Sequence, residues 1–239
     1  GNNTLRFNTT GNLNVAVGSG ALYRNTIGAC NVAVGRYTLG KNTTGAFNTA
    51  VGHYALAENL TGTKNTSLGY RALFANTASN NTAVGFCALR NNANGTLNVA
   101  VGYRAMRDNT TGVYNTVLGA QSLFSNTAGS RNISIGTSTS LYSTTGNDNT
   151  AMGYNALLFN TGGSGIVALG SKALKCNTAS DNTAVGFSDC LKPLEQPTDV
   201  LRGFCMTCSR HQGTRNQSKE IYQNNSLACP VQRFDFNKV

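Results

Sequence analysis

The sequence predicts an all-β protein: a parallel β-solenoid or β-roll of about eleven 17-residue coils, followed by an irregular C-terminal tail. Three observations carry this. A block first met as Asn14-Val15-Ala16-Val17-Gly18 recurs at near-constant spacing. Apolar and small residues alternate inside it with period two, as in a strand. The composition is rich in Asn, Thr and Gly, all poor helix formers. Charged residues make up only 12%, so it is not that of a disordered chain either.

The glycine of the block sets the period. It stands at Gly18, Gly35, Gly52, Gly69, Gly85, Gly102, Gly119, Gly136, Gly153, Gly170 and Gly186. Every step is 17 residues except Gly69 to Gly85 and Gly170 to Gly186, which are 16. Fixed self-similarity of this kind marks a repeat architecture. The residue before the glycine is always apolar, and two places earlier it is Val, Ile or Thr, with a small residue usually between. Alternation puts the small residue on one face of the strand and its neighbours on the other. The Ala and Ser column is expected to suit close approach of a neighbouring backbone, as at a seam between chains.

Each coil continues past the glycine. Four residues on comes a Leu column, from Leu22 through Leu174 with Met106 in its place once, which predicts a second short strand or a corner. Two Asn columns follow. One is Asn14, Asn31, Asn48, Asn65, Asn81, Asn98, Asn115, Asn132, Asn149 and Asn182, and the other begins at Asn25 and Asn42. Stacked coils place identical side chains about 4.8 Å apart. Asn amides at that spacing can hydrogen-bond as ladders. The second glycine of Asn-x-x-Gly fits a turn, and both short coils lose their residue there, so this turn is the tolerant loop. The coil at 137–148 has Ser140 in the Leu place and Ser143 in the Asn place, which predicts a local irregularity.

Such a coil is thin. Two or three sizeable apolar side chains per coil, at roughly 1.5–3 kcal/mol each, barely offset backbone ordering of about 1–2 kcal/mol per residue. A second buried surface against other chains is therefore expected. Gly1 falls on the repeat, 17 residues before Gly18, so the chain is expected to be a fragment that begins mid-repeat.

Asn98-Val99-Ala100-Val101-Gly102-Tyr103-Arg104-Ala105-Met106 with Asn109-Thr110-Thr111-Gly112, and Asn149-Thr150-Ala151-Met152-Gly153-Tyr154-Asn155-Ala156-Leu157, resemble the repeats of bacteriophage tail fibres. They are similar, more loosely, to the β-roll heads of trimeric autotransporter adhesins. The resemblance covers residues 1–187. It implies a stiff shaft or host-binding head, usually a homotrimer, on a virion or cell surface. The 17-residue period is longer than the adhesin-head repeat.

Function is read from what surrounds the strands. Catalysis needs convergent acids, bases or nucleophiles. With two His and nine acids spread thinly, no enzyme and no cofactor are expected. The variable places after the glycine carry aromatics and Arg: Tyr37, Tyr54, Tyr70, Arg71, Tyr103, Arg104 and Tyr154. Such an edge suits sugar faces, or it stiffens the roll or packs at a seam. Residues 1–187 hold twelve Lys and Arg against four Asp and Glu, a surplus of eight, scattered rather than clustered. No specific nucleic-acid contact is expected, and no stretch of eighteen apolar residues spans a membrane. The leading reading is a structural or adhesive fibre segment, extracellular or on a virion. It would form a homotrimer or self-assemble, and meet a surface glycan or cell-envelope receptor. A self-assembling extracellular filament is one alternative. An ice-binding solenoid is another, with the threonine file from Thr26 and Thr43 to Thr178 as its surface.

Residues 188–239 read as an irregular, Cys-containing tail or cap. Cys205, Cys208, His211 and Cys229 make an incomplete zinc pattern, so no metal site is expected, and disulfides, free thiols or a poorly ordered end are the readings placed ahead of it. Cys30, Cys87 and Cys176 fall at variable positions expected to face outward.

Overall fold

The computed structural model describes residues 1–187 and the strand at 200–202. One three-residue strand forms per repeat: β1 (Val15–Val17), β2 (Val32–Val34), β3 (Thr49–Val51), β4 (Thr66–Leu68), β5 (Thr82–Val84), β6 (Val99–Val101), β7 (Thr116–Leu118), β8 (Ile133–Ile135), β9 (Thr150–Met152), β10 (Val167–Leu169) and β11 (Thr183–Val185). They pair in parallel, in chain order, as a single sheet. The register follows the sequence period. Val15 pairs with Val32, and the two short coils absorb their missing residue outside the strands, so Thr66 pairs with Thr82 and Val167 with Thr183. The fold is the predicted β-solenoid, and at about 4.8 Å per coil its eleven rungs span about 50 Å. A twelfth strand, β12 (Val200–Arg202), continues the stack, with Thr183 opposite Val200.

The faces of the strands are opposite to the seam expectation. The small residue points inward: Ala33, Ala50, Ala83, Ala100, Ala151 and Ala168 are fully buried. The β-branched and apolar residues point out, with Val17 56%, Leu68 47% and Leu118 49% exposed. Width explains this. The interior already holds the Leu column, a second Ala column at Ala55, Ala72 and Ala105, and two Asn side chains per coil, all buried. Across so narrow a coil a small side chain fits best beneath the strand, Ala or Ser in every coil from β1 to β11 but that of Val117, which is buried as well.

The Leu column is a corner rather than a second strand. Its backbone is left-handed, at φ 51° for Leu22, 49° for Leu73 and 50° for Met106. The position two before it is left-handed too, as at Tyr37, Tyr54, Arg71 and Arg104, and so is the position before the first Asn column, as at Phe47, Lys64 and Tyr114. Three left-handed residues per coil bend seventeen residues into a closed turn. Non-branched side chains tolerate that region far better than Val, Ile or Thr. This is why the inward apolar column is Leu and Met and never Ile or Val.

Both Asn columns are ladders. Asn42 donates Nδ2–H to Asn25 Oδ1 in the preceding coil at 2.7 Å and to Gly45 O in its own turn at 2.9 Å. Asn31 donates its backbone N–H to Asn14 Oδ1 at 2.9 Å and its amide to Gly45 O in the next coil at 2.9 Å, tying three coils together. The threonine file is also committed to the stack. Thr26, Thr110 and Thr144 donate their hydroxyls to carbonyls of Thr43, Thr127 and Thr161 at 3.0, 2.8 and 2.7 Å.

The coil at 137–148 keeps its backbone but loses its filling. Ser140 stays left-handed at φ 52° and donates its N–H to Ala156 O at 2.9 Å. The buried apolar core nevertheless divides here, one cluster ending at Leu123 and the next beginning at Ala151. Asn126 Oδ1 and Ser143 Oγ are buried without a protein partner. Ser143→Asn would restore the rung between Asn126 and Asn160. A buried polar group left unpaired costs about 1–3 kcal/mol, so the variant is expected to be more stable by about 1–2 kcal/mol, read from the denaturant midpoint. An unchanged midpoint would mean that the ladder contributes nothing here.

Candidate functional site

The first two places after the strand glycine leave the sheet into the left-handed corner, which throws their side chains outward in register. Rings one coil apart therefore meet. Tyr37 and Tyr54 stack at 5.5 Å and 7°, Tyr70 and Phe86 at 5.0 Å and 18°, and Phe86 and Tyr103 at 5.6 Å and 21°. His53 joins the two runs, stacked on Tyr54 at 4.4 Å and edge-on to Tyr70 at 5.7 Å. One aromatic ladder thus runs over five coils, from Tyr37 to Tyr103.

Arginines lie against it. Arg71 sits over Tyr54, Tyr70 and Phe74 at 5.7, 5.2 and 5.4 Å, Arg36 over Tyr37 at 5.1 Å and Arg104 over Tyr103 at 5.0 Å. Each such contact contributes about 0.5–1 kcal/mol at an exposed site. The ladder is a fixed surface whose rings and cations hold one another in place.

Of the expected edge residues, Tyr37, Tyr54, Tyr70, Arg71, Tyr103 and Arg104 belong to this assembly. Tyr154 stands apart, because Ala120 and Thr137 occupy its column on one side and Ser171 on the other. Cys87 is buried, not outward-facing, since its neighbours in the same column are the large Arg71 and Arg104; Cys30 and Cys176 are half-buried. Cys205, Cys208, His211 and Cys229 lie outside the described residues.

Further features escaped the sequence reading. Tyr142 and Phe159 stack at 5.3 Å and 3° on another edge of the coil, and Arg107 lies 4.1 Å over the Phe124 ring. Arg131 grips Asp148 one coil on through two hydrogen bonds, at 2.6 and 2.8 Å, which hold that carboxyl below its ordinary pKa. Arg107 is held above its ordinary pKa, chiefly by its hydrogen bonds to Asp108. Lys41 pairs with Glu58 across one coil. Three of the four acids in residues 1–187 are thus matched to a cation, and the excess basic charge stays on the rod. Among the described residues no three His, Cys, Asp or Glu come together as a metal site, and no helix is long and apolar enough to cross a membrane. Comparison with models of known families, with curated proteins and with solved structures gives no match.

Proposed function

We propose that the chain is a stiff segment of an extracellular or virion fibre, which associates with copies of itself and displays its aromatic edge several times over. The observation that carries this is the outward face of the sheet. Val15, Val17, Leu68, Val99, Leu118, Ile133, Met152 and Val185 are all at least 40% exposed, in the two outward columns of the one sheet. Monomeric soluble proteins rarely leave a contiguous apolar patch larger than a few hundred Å² uncovered. A closed homo-oligomer covers such ribbons about a common axis. The seam is then the Val, Thr and Leu face, not the Ala column. A rod of fixed register also sets the spacing of any weak contact along its edge, so multivalency supplies the avidity.

Light scattering after size exclusion tests the association. The expected mass is three times 25.1 kDa. Leu68→Lys with Leu118→Lys, both on the exposed ribbon, is expected to reduce it to the single-chain mass while the far-UV spectrum stays unchanged. A wild-type monomer would overturn the oligomeric fibre. The threonines of the same ribbon, Thr49, Thr66, Thr82, Thr116, Thr150 and Thr183, would then favour ice binding as the second reading, with thermal hysteresis as its assay.

A further inference from the structure

Five residues after the strand glycine runs a column of bulky side chains: Tyr23, then Phe74, Arg90, Arg107, Phe124, Leu141, Leu158 and Lys175. It is broken in two consecutive coils only, by Gly40 and Ala57. Both are buried, and they floor a notch of about 210 Å³. Tyr37 and Tyr54, which precede the gap in their coils, line it, as do Lys41 and Glu58, which follow it, and Tyr23 and Arg24 of the coil before.

The notch is built in advance. Tyr37 and Tyr54 fix each other by stacking, and Tyr37 lies over Gly20, where a Cβ would come within 2.6 Å of its ring. Lys41 and Glu58 fix each other as an ion pair. Arg24 enters no ion pair among the described residues. The volume lies below the roughly 300–1,000 Å³ of pockets for drug-sized ligands, so one ring-sized group fits. Tyrosine offers that group both an apolar ring and a hydroxyl partner. Lys41 and Glu58 offer a donor and an acceptor for hydroxyls. Arg24 offers a planar fork that matches a carboxylate. The basic surplus of the rod draws polyanions toward it.

We propose that this notch binds one carboxylated sugar ring of an acidic surface polysaccharide. The proposal rests on the fibre reading for its biological setting and names the chemistry of its receptor. The test is calorimetric titration of the full chain with trigalacturonate, a hexuronate trisaccharide, and with neutral maltotriose. Saturable binding of trigalacturonate is expected, weakened by added salt, with maltotriose at least about tenfold weaker. Ala57→Phe, which gives this coil the residue of its neighbour Phe74, is expected to fill the notch. It and Arg24→Ala should each weaken trigalacturonate binding by about tenfold or more. Leu141→Phe, in the same column far from the notch, should leave it unchanged. Thermal melts of each variant identify any loss of folding, and Arg24→Ala, at an exposed position, keeps the test valid if Ala57→Phe is destabilised. No binding of trigalacturonate, equal binding of maltotriose, or full binding by the variants would each overturn the proposal. A trimer that does not bind refutes the notch alone, and a monomer that binds refutes the fibre reading alone.

Discussion

Gly102→Ala is expected to destabilise the rod by on the order of 3 kcal/mol, seen as a lower denaturant midpoint. Gly102 lies at φ 140°, and a Cβ there would stand 2.5 Å from Gly119 O and 2.6 Å from Gly119 C in the next coil. Both obstacles are backbone, so no side chain can swing aside. Relief would require the next coil to move away, and Gly119 donates its own N–H to Val101 O at 2.8 Å across that very gap. Gly162→Ala is the control. It replaces a glycine in the tolerant turn, where a Cβ would meet only Thr145 Oγ1 at 3.5 Å, and is expected to change stability by less than about 0.5 kcal/mol. In a stack where each coil touches mainly its neighbours, damage should also be local. Amide exchange in Gly102→Ala is therefore expected to rise most in β6 and β7 and least in β1 and β2. Equal stability of the two alanine variants would mean that coil spacing is looser than the glycine column implies.

That glycine column is also what made the fold legible. Its period fixed the register of every strand from β1 to β11, including the two short coils. The left-handed corners left a signal too, though a negative one. Their three columns hold Leu, Met, Phe, Tyr, Arg, Lys, Gln, Asp, Asn, Ser, Cys and Gly but never Val, Ile or Thr, although branched residues abound two or three places away. The strand faces were not legible, because alternation divides residues into two sets without saying which set faces in. The seventeen-residue girth decides that, since two Asn side chains and a Leu leave little room, and the inward place holds Ala or Ser in every coil from β1 to β11 except that of Val117. β12 had a faint trace in Gly203, seventeen residues after Gly186, but Asp199 stands where the repeat has Asn. The aromatic ladder could be read from its columns. The notch could not, because it is made of what Gly40 and Ala57 lack, and a gap shows only when the bulky column on either side of it is aligned.

Asn109→Asp is expected to cost about 3–5 kcal/mol at pH 7 and much less at pH 4. Asn109 is fully buried, donates Nδ2–H to Asn92 Oδ1 at 2.6 Å and to Gly112 O at 3.0 Å, and accepts from Asn126 Nδ2 at 2.8 Å. Aspartate has the same shape but, when ionised, only accepts. Two oxygens would then face a buried charge with no hydrogen between them. Burial and these acceptors raise the carboxyl pKa in the folded state above the value of about 3.9 it has in the unfolded chain. The folded variant therefore binds more protons than the unfolded one over that window, and its stability falls as pH rises through it. Below the window the protonated acid regains one donor, and about one hydrogen bond, roughly 1 kcal/mol, remains lost. Asn94→Asp, at an exposed place in the equivalent turn one coil earlier, should show no such slope. The rod suits this measurement because residues 1–187 carry only four acids, so the wild-type background is shallow. Equal destabilisation at pH 4 and pH 7 would mean that Asn109 serves by its shape. A slope of the stated sign would mean that its amide hydrogens hold one coil to the next, so that the ladder, more than the apolar core of so thin a coil, is what makes the stack stiff.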